Sequence, residues 1–264
     1  HIPYFVTVRN TDVNLFMKLL PHTWLTGWRI LLHAERVFFV SKSMLDKFTK
    51  SWVVRPILSR IKGKLIFLPN GVDDYWCDHV RRDITDNQRI VYVGDFSDNK
   101  NVKRLVKAVV ALRKKGRFPN LRLSLVGGGM TDEIGRMVAA EQDTVQYLGE
   151  VNDLSKLCEI YRNHSIFAMP SIHETFGLVY VEALSQNLAI LYTKGQGVDG
   201  MFDNRVGIGV DPFSVIDIEL ALMRLLDHRV DYSNDSVDFE RFRWREIAGC
   251  YQSFYETNME ENDK

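Results

Sequence analysis

Apolar residues in this chain gather into short continuous runs at 4–8, 36–40, 64–68, 89–93, 121–126, 145–148, 165–169, 188–192 and 208–211. Runs this short, bounded by turn formers, read as strands buried on both faces. Between most of them apolar positions recur three and four apart, at 102–115, 132–141, 153–162, 177–186 and 215–227. That spacing predicts amphipathic helices. Strands alternating with helices predict an α/β fold with parallel sheets built from right-handed βαβ units.

The alternation is regular from 89 to about 231, enough for one complete Rossmann-like domain. Residues 1–72 hold three strand runs, too few for a complete doubly wound sheet. The turn signal Pro69-Asn70-Gly71 and the polar stretch 73–88 divide the two. The expected organisation is a partial unit over 1–72 and a complete one over 73–241. A final helix is expected over 242–256, carrying Phe242, Trp244, Tyr251, Phe254 and Tyr255. Such rings do not stay in water, so it should dock. The chain starts at His1 and enters a strand run almost at once, so further sequence upstream is expected.

Charge excludes one class of partner. Lysine plus arginine and aspartate plus glutamate number 34 each, which leaves no net field to attract nucleic acid. Cys77, Cys158 and Cys250 are far apart, fit neither a zinc spacing nor a disulfide framework, and suit a reducing, cytoplasmic compartment. No apolar run approaches the roughly 18 residues of a membrane helix. One segment is locally basic: 42–64 has seven lysines and arginines against one acid, Asp46, with Trp52, Val53, Val54, Ile57, Leu58 and Ile61 interleaved. Two readings stay open. It is a solvated helix face over a buried one, or a surface that touches anionic lipid headgroups.

The densest chemistry lies in 170–183. A strand ends at Met169, a short loop follows, and a helix opens near Gly177. Ligands bind outside the carboxyl ends of strands in open α/β sheets, and a helix N-terminus offers unpaired N–H groups to a phosphate. Glu174 precedes that helix and Glu182 lies inside it. At the helical rise the two are on the order of 10 Å apart, a span that fits a diphosphate with a sugar at one end and a ribose at the other.

The order Pro170-Ser171, Glu174, seven residues, Glu182 resembles the signature of retaining glycosyltransferases of the large family 4 type, which have the GT-B fold of two facing Rossmann-like domains. The resemblance extends over nearly the whole chain. Val40-Ser41-Lys42-Ser43 is similar to the last acceptor-domain strand and turn, and 68–73 to the linker into the donor domain. Gly94 followed by Lys100-Asn101 resembles the phosphate-binding loop; Gly127-Gly128-Gly129 and Gly149-Glu150-Val151 resemble the loops around the base. The resemblance implies that 1–72 is acceptor-side, that 73–241 binds donor, and that 242–258 crosses back onto the acceptor side. It implies that Glu174 contacts the donor sugar and Glu182 the ribose. The amides of Phe176, Gly177 and Leu178 would cradle the distal phosphate. Lys100 would neutralise the departing diphosphate with no metal and no cofactor besides the nucleotide sugar itself. Gly197, in the glycine-rich turn 195–200, would line the sugar pocket. The implied partners are a nucleotide sugar and a glycan or lipid-linked acceptor, with the enzyme at the inner face of a membrane.

Two departures from the pattern stand out. Asp95 occupies a position where the family usually has arginine, and no glycine-rich acceptor-side loop is present. Arg9 and Asp12 follow the first strand run, where the family places cleft-facing polar residues; Asp12 or Thr11 could equally start a helix. His173 reads either as a pocket wall or as exposed. Two other functions compete. A nicotinamide-dependent dehydrogenase would use Gly127-Gly128-Gly129, but Asp132 stands where its fingerprint needs the third glycine. A non-catalytic nucleotide-sugar-binding module or partner subunit would keep the pocket without turnover.

Overall fold

The computed structural model describes residues 3–9, 11–12, 20–202 and 206–262, without the side chains of 257–262. Asn10 and the segment after Asp12, where a helix is expected, lie outside the described residues. The chain opens with β1 (Phe5–Val8), α1 (Trp24–His33), β2 (Arg36–Phe39), α2 (Lys42–Lys50) and β3 (Leu65–Phe67). These strands form a parallel sheet in the order β1-β2-β3. After the short helix α3 (Asp74–Asp78) come β4 (Arg89–Val93), α4 (Val102–Lys114), β5 (Arg122–Val126), α5 (Asp132–Ala140), β6 (Val145–Gly149), α6 (Leu154–Arg162), β7 (Ile166–Ala168), α7 (Leu178–Ser185), β8 (Ala189–Thr193), β9 (Gly207–Val210) and α8 (Val215–Asp227).

The second sheet has six parallel strands in the order β6-β5-β4-β7-β8-β9. The chain therefore winds outward from β4 through β5 to β6, returns, and winds the other way from β7. The reversal between β4 and β7 opens a crevice at their carboxyl ends, the place where doubly wound sheets hold ligands. Helices cover both faces, so Ile90, Val91 and Tyr92 of β4 and all of β7 are buried. Such strands cannot alternate apolar with polar, which is why their sequence runs are continuous.

The last helix, α9 (Trp244–Asn262), packs on the first sheet. Ile247 clusters with buried Phe38 and Leu68; Tyr251 and Phe254 pack beside them. The rings of Phe5 and Tyr255 lie 4.3 Å apart and those of Phe38 and Tyr251 4.7 Å. The chain passes from the second unit to α9 beside the linker, where Val72 N donates to Phe242 O at 2.8 Å. Two aromatics differ from expectation. Phe242 precedes the helix, in a 3-10 turn, and is buried near Phe176 and Phe202 in the second unit. Trp244 is 53% exposed.

The basic segment 42–64 is not one helix. Helix α2 ends at Lys50, and a single turn, Leu58–Ile61, follows Pro56. Proline lacks an N–H and disfavours helical geometry in the residue before it, so the helix cannot run through. Val53, Val54, Ile57 and Ile61 are buried, while Trp52 is 67% exposed with its ring edge-on to Trp24 at 4.8 Å. Helix α1, which the sequence reading did not single out, has no fully buried residue, but its stripe of Trp24, Trp28, Leu31 and Leu32 faces inward, the last three packing partly buried against the core. Among the described residues no helix is long and apolar enough to cross a membrane.

Candidate active site

Two loops meet at the reversal of the second sheet: 94–101 after β4 and 169–177 after β7. The first ends in a 3-10 turn, Asp98–Lys100, followed by Asn101 in the left-handed region at φ 61°. Asparagine tolerates that geometry because its short amide bonds the local backbone. The amide of Asn101 is buried and donates to Pro170 O at 3.0 Å and Pro212 O at 2.7 Å. Asn99 fastens the other side: its Nδ2 donates to His173 O at 2.9 Å, and its Oδ1 accepts from His173 N at 3.0 Å. Its carbonyl accepts from Ile172 N at 2.7 Å. Lys100 stands between these two fasteners and its Nζ reaches Glu174 Oε2 at 2.8 Å. The lysine side chain is 21% exposed and the glutamate 12%.

Glu174 is held from its other side by the turn after β8. Its N–H donates to Gln196 Oε1 at 3.3 Å, its carbonyl accepts from Gly197 N at 3.0 Å, and its Oε1 accepts from Thr175 N at 3.1 Å. Gly197 has φ 49°, and a Cβ there would stand 2.9 Å from Glu174 Cγ and Phe176 O. Gly177, at φ 80°, is the N-cap of α7. Phe176 is buried, whereas Leu178 is 40% exposed, so the N-terminal turn of α7 opens to solvent. His173 is exposed.

Helix α7 brings Glu182 to Tyr161 of α6, whose hydroxyl donates to Glu182 Oε2 at 3.4 Å. Burial, and then nearby Asp73, push this carboxyl up to about 7, against which the Tyr161 hydrogen bond acts. It therefore exchanges a proton near neutrality.

The glycines form the floor. Gly94 N donates to Val126 O at 3.0 Å and Gly127 N to Gly149 O at 2.9 Å, which extends the ladder past the ends of β4, β5 and β6. Gly127 has φ 138°, and a Cβ on it would lie 1.8 Å from Gly94 O. Gly128 faces Glu150, whose Oε2 would be 3.0 Å from an added Cβ. Val151 is half-buried against the core. Asp95, in place of the usual arginine, accepts from Ser97 N at 2.9 Å, and these Ser97 contacts hold its carboxyl below the ordinary range.

Asp12 lies elsewhere. Its Oδ2 accepts from Arg9 N at 2.7 Å, a local bond to the backbone three residues earlier. It also lines a mainly apolar cavity of about 510 Å³ with Val6, Val8, Trp24, Trp28 and Leu31. None of its described hydrogen bonds reaches the loops of the second unit. A closer link between the units is Ser43, at the start of α2, whose Oγ donates to Gly197 O at 3.2 Å.

The sequence reading overlooked Asn99, Gln196 and Tyr161. Asn99 had a signal, since Asn-Lys-Asn places two backbone-bonding amides on either side of one cation. Tyr161 had none, because a buried tyrosine on an amphipathic helix reads as core. Among the described residues no group of His, Cys, Asp and Glu could hold a metal ion.

The reversal of the second sheet thus carries a shielded lysine–glutamate pair just ahead of a helix N-terminus. The family model for glycosyl transferases group 1 matches residues 78–239, and the chain belongs to that family. It is 30% identical over 178 residues to D-inositol 3-phosphate glycosyltransferase of Corynebacterium glutamicum, covering 63% of this chain and 42% of that protein. Phosphatidyl-myo-inositol mannosyltransferase of Mycobacterium tuberculosis is 26% identical over 247 residues, 88% of this chain and 64% of the relative. The chain thus spans about two fifths of the first curated relatives it matches. Among solved structures it resembles Anabaena HepE in complex with UDP, with TM-score 0.73 at 15% identity, over 98% of this chain and 72% of that one. It also resembles sucrose-phosphate synthase from Thermosynechococcus elongatus, with TM-score 0.71 at 20% identity, over 99% and 69%.

Proposed function

We propose that this chain carries the donor site, and part of the acceptor side, of a retaining glycosyltransferase. The enzyme moves a hexose from a nucleotide diphosphate sugar to a hydroxyl of a glycan or lipid-linked acceptor. The observation that carries the reading is the Lys100–Glu174 pair at the entrance of α7, in the crevice between β4 and β7. Lys100 and the N–H groups of 176–178 take the charge of the leaving diphosphate. Glu174 takes the sugar hydroxyls and Glu182 the ribose. The acceptor attacks from the face the diphosphate leaves, and a leaving phosphate oxygen receives its proton. Positioning and charge stabilisation then account for catalysis. Lysine and helix terminus supply the positive charge, so turnover needs no metal.

The relatives' names give supporting chemistry: two specify inositol-bearing acceptors, and HepE binds UDP. A role in cell-surface glycan synthesis on the cytoplasmic side of a membrane follows from the same reading. The test is calorimetry with a panel of nucleoside diphosphates. One should bind, and Glu182→Ala should weaken it by about 1.5–3 kcal/mol, the value of a charge-assisted hydrogen bond. Equal affinity in the variant would remove Glu182 from the site. A second reading, a binding module without turnover, is favoured by the first sheet having three strands among the described residues where the second has six. A transfer assay on this chain with the sugar nucleotide that binds and a glycan acceptor separates the two.

A further inference from the structure

Lys100 and Glu174 are both needed by the substrate, yet each already occupies the other. Their contact is 2.8 Å, and the side chains are 21% and 12% exposed. Solvent therefore screens the pair poorly, and breaking it without replacement leaves a shielded, unpaired charge. The two backbones are fixed. Three hydrogen bonds from Asn99 and two from Asn101 hold the lysine turn, and Gln196 and Gly197 hold the glutamate. Only the side chains are left to part.

We infer that this pair makes the site choose intact donor over spent nucleotide. The inference rests on the donor-site reading above. A diphosphate draws Lys100 away, and the lysine exchanges one anion for another at small net cost. Glu174 is not so compensated. Its Oε1 keeps the Thr175 N–H, but Oε2 loses its cation. An intact donor supplies sugar hydroxyls that donate to Oε2. A bare nucleoside diphosphate supplies none. The penalty of the stranded carboxylate therefore falls on the product alone. Once the hexose has moved to the acceptor, Glu174 recovers Lys100 and the diphosphate loses its cation. Glu174 in this account is a specificity-determining residue as well as a sugar contact.

Asp95 serves as the control. It is a second acid beside Lys100, but its carboxylate bonds Ser97 rather than the lysine. Removing it raises the positive potential of the site without freeing a paired lysine. Calorimetry on the whole chain, with UDP and UDP-glucose and with GDP and GDP-mannose as matched pairs, reads the preference. In whichever pair binds, Glu174→Gln should tighten the diphosphate about tenfold and leave the sugar nucleotide unchanged or weaker. Glu174→Asp keeps the charge but shortens the reach, and should also tighten the diphosphate. Asp95→Asn should move both ligands alike. In a Lys100→Met background the effect of Glu174→Gln on the diphosphate should vanish. Far-ultraviolet circular dichroism and melting confirm that each variant is folded. Weaker diphosphate binding by both Glu174 variants, or equal tightening of both ligands, overturns the inference while leaving the donor site intact. If the parent chain binds none of the four ligands, the donor-site reading fails and the inference with it.

Discussion

The proton on Glu182 gives the sharpest quantitative test. Burial lifts this carboxyl from an ordinary 4.5 to about 7. At about 1.4 kcal/mol per pKa unit, the ionised form is penalised in the folded, ligand-free protein by about 3 kcal/mol. A carboxyl raised on folding contributes its stability below pH 4.5, loses it as pH rises, and has lost it above about 7. Glu182→Gln carries no charge at any pH and keeps an oxygen to accept from Tyr161. The variant should match the parent near pH 4.5 and exceed it by up to about 3 kcal/mol at pH 8, several degrees in Tm for a chain of this size. Binding should show the opposite preference. Ribose hydroxyls donate, so they favour the ionised carboxylate, and nucleotide affinity should rise with pH up to about 7 and then level off. Differential scanning fluorimetry between pH 5 and 8 reads the first effect. Calorimetry in buffers of different ionisation enthalpy reads the second as protons released on binding near pH 6.5. A variant no more stable than the parent at pH 8, together with pH-independent affinity, would refute the assignment of a half-buried, titrating ribose contact.

Other outcomes follow from geometry. Asn101→Ala strips two buried carbonyls, Pro170 and Pro212, of their partner and puts alanine at φ 61°; a loss of about 2–4 kcal/mol is expected in urea unfolding. Gly127→Ala places a methyl 1.8 Å from Gly94 O at φ 138°, so it should lower the unfolding free energy read from urea titration by more than about 3 kcal/mol or yield insoluble protein. Sugar transfer should survive EDTA; rescue by Mg²⁺ or Mn²⁺ after its loss would show that Lys100 and the helix terminus do not suffice. Vesicle co-sedimentation should rise with anionic lipid and fall with salt if residues 42–64 touch a membrane; equal binding to neutral vesicles would show a solvated face instead.

The second unit was readable because its signals are local. The inner strands β5, β4, β7 and β8 are largely buried apolar runs, helices α4, α5, α6 and α8 each have an apolar stripe, and the turns carry Gly94, Gly127, Gly177 and Gly197 at positions that demand φ between 49° and 153°. The register of Lys100 against Glu174 was not readable. It depends on β4 and β7 lying side by side, 74 residues apart in the chain for the paired side chains. Tyr161 was hidden for a related reason: only the packing of α6 on α7 shows that its hydroxyl meets a carboxylate. The segment 42–64 misled because its composition is that of a surface helix, while Pro56 and the inward turn of Val53, Val54 and Ile57 break it into pieces. Asp12 gave two readings of comparable weight, and the structure gives it a local one, a bond to Arg9 N.

The docking of α9 on the first sheet has a consequence for the order of events during synthesis. Phe5 and Phe38 find their ring partners at Tyr255, Tyr251 and Phe254, more than 200 positions later. On a ribosome adding about 5–20 residues per second, the first sheet emerges early and waits tens of seconds for the helix that covers it. The second sheet, whose contacts close within the stretch from β4 to α8, is complete before that helix exists. The first sheet is therefore the later of the two to become native, and during the interval its α9 face lies uncovered. A slow codon run before residue 244 would lengthen that exposure without changing a single amino acid.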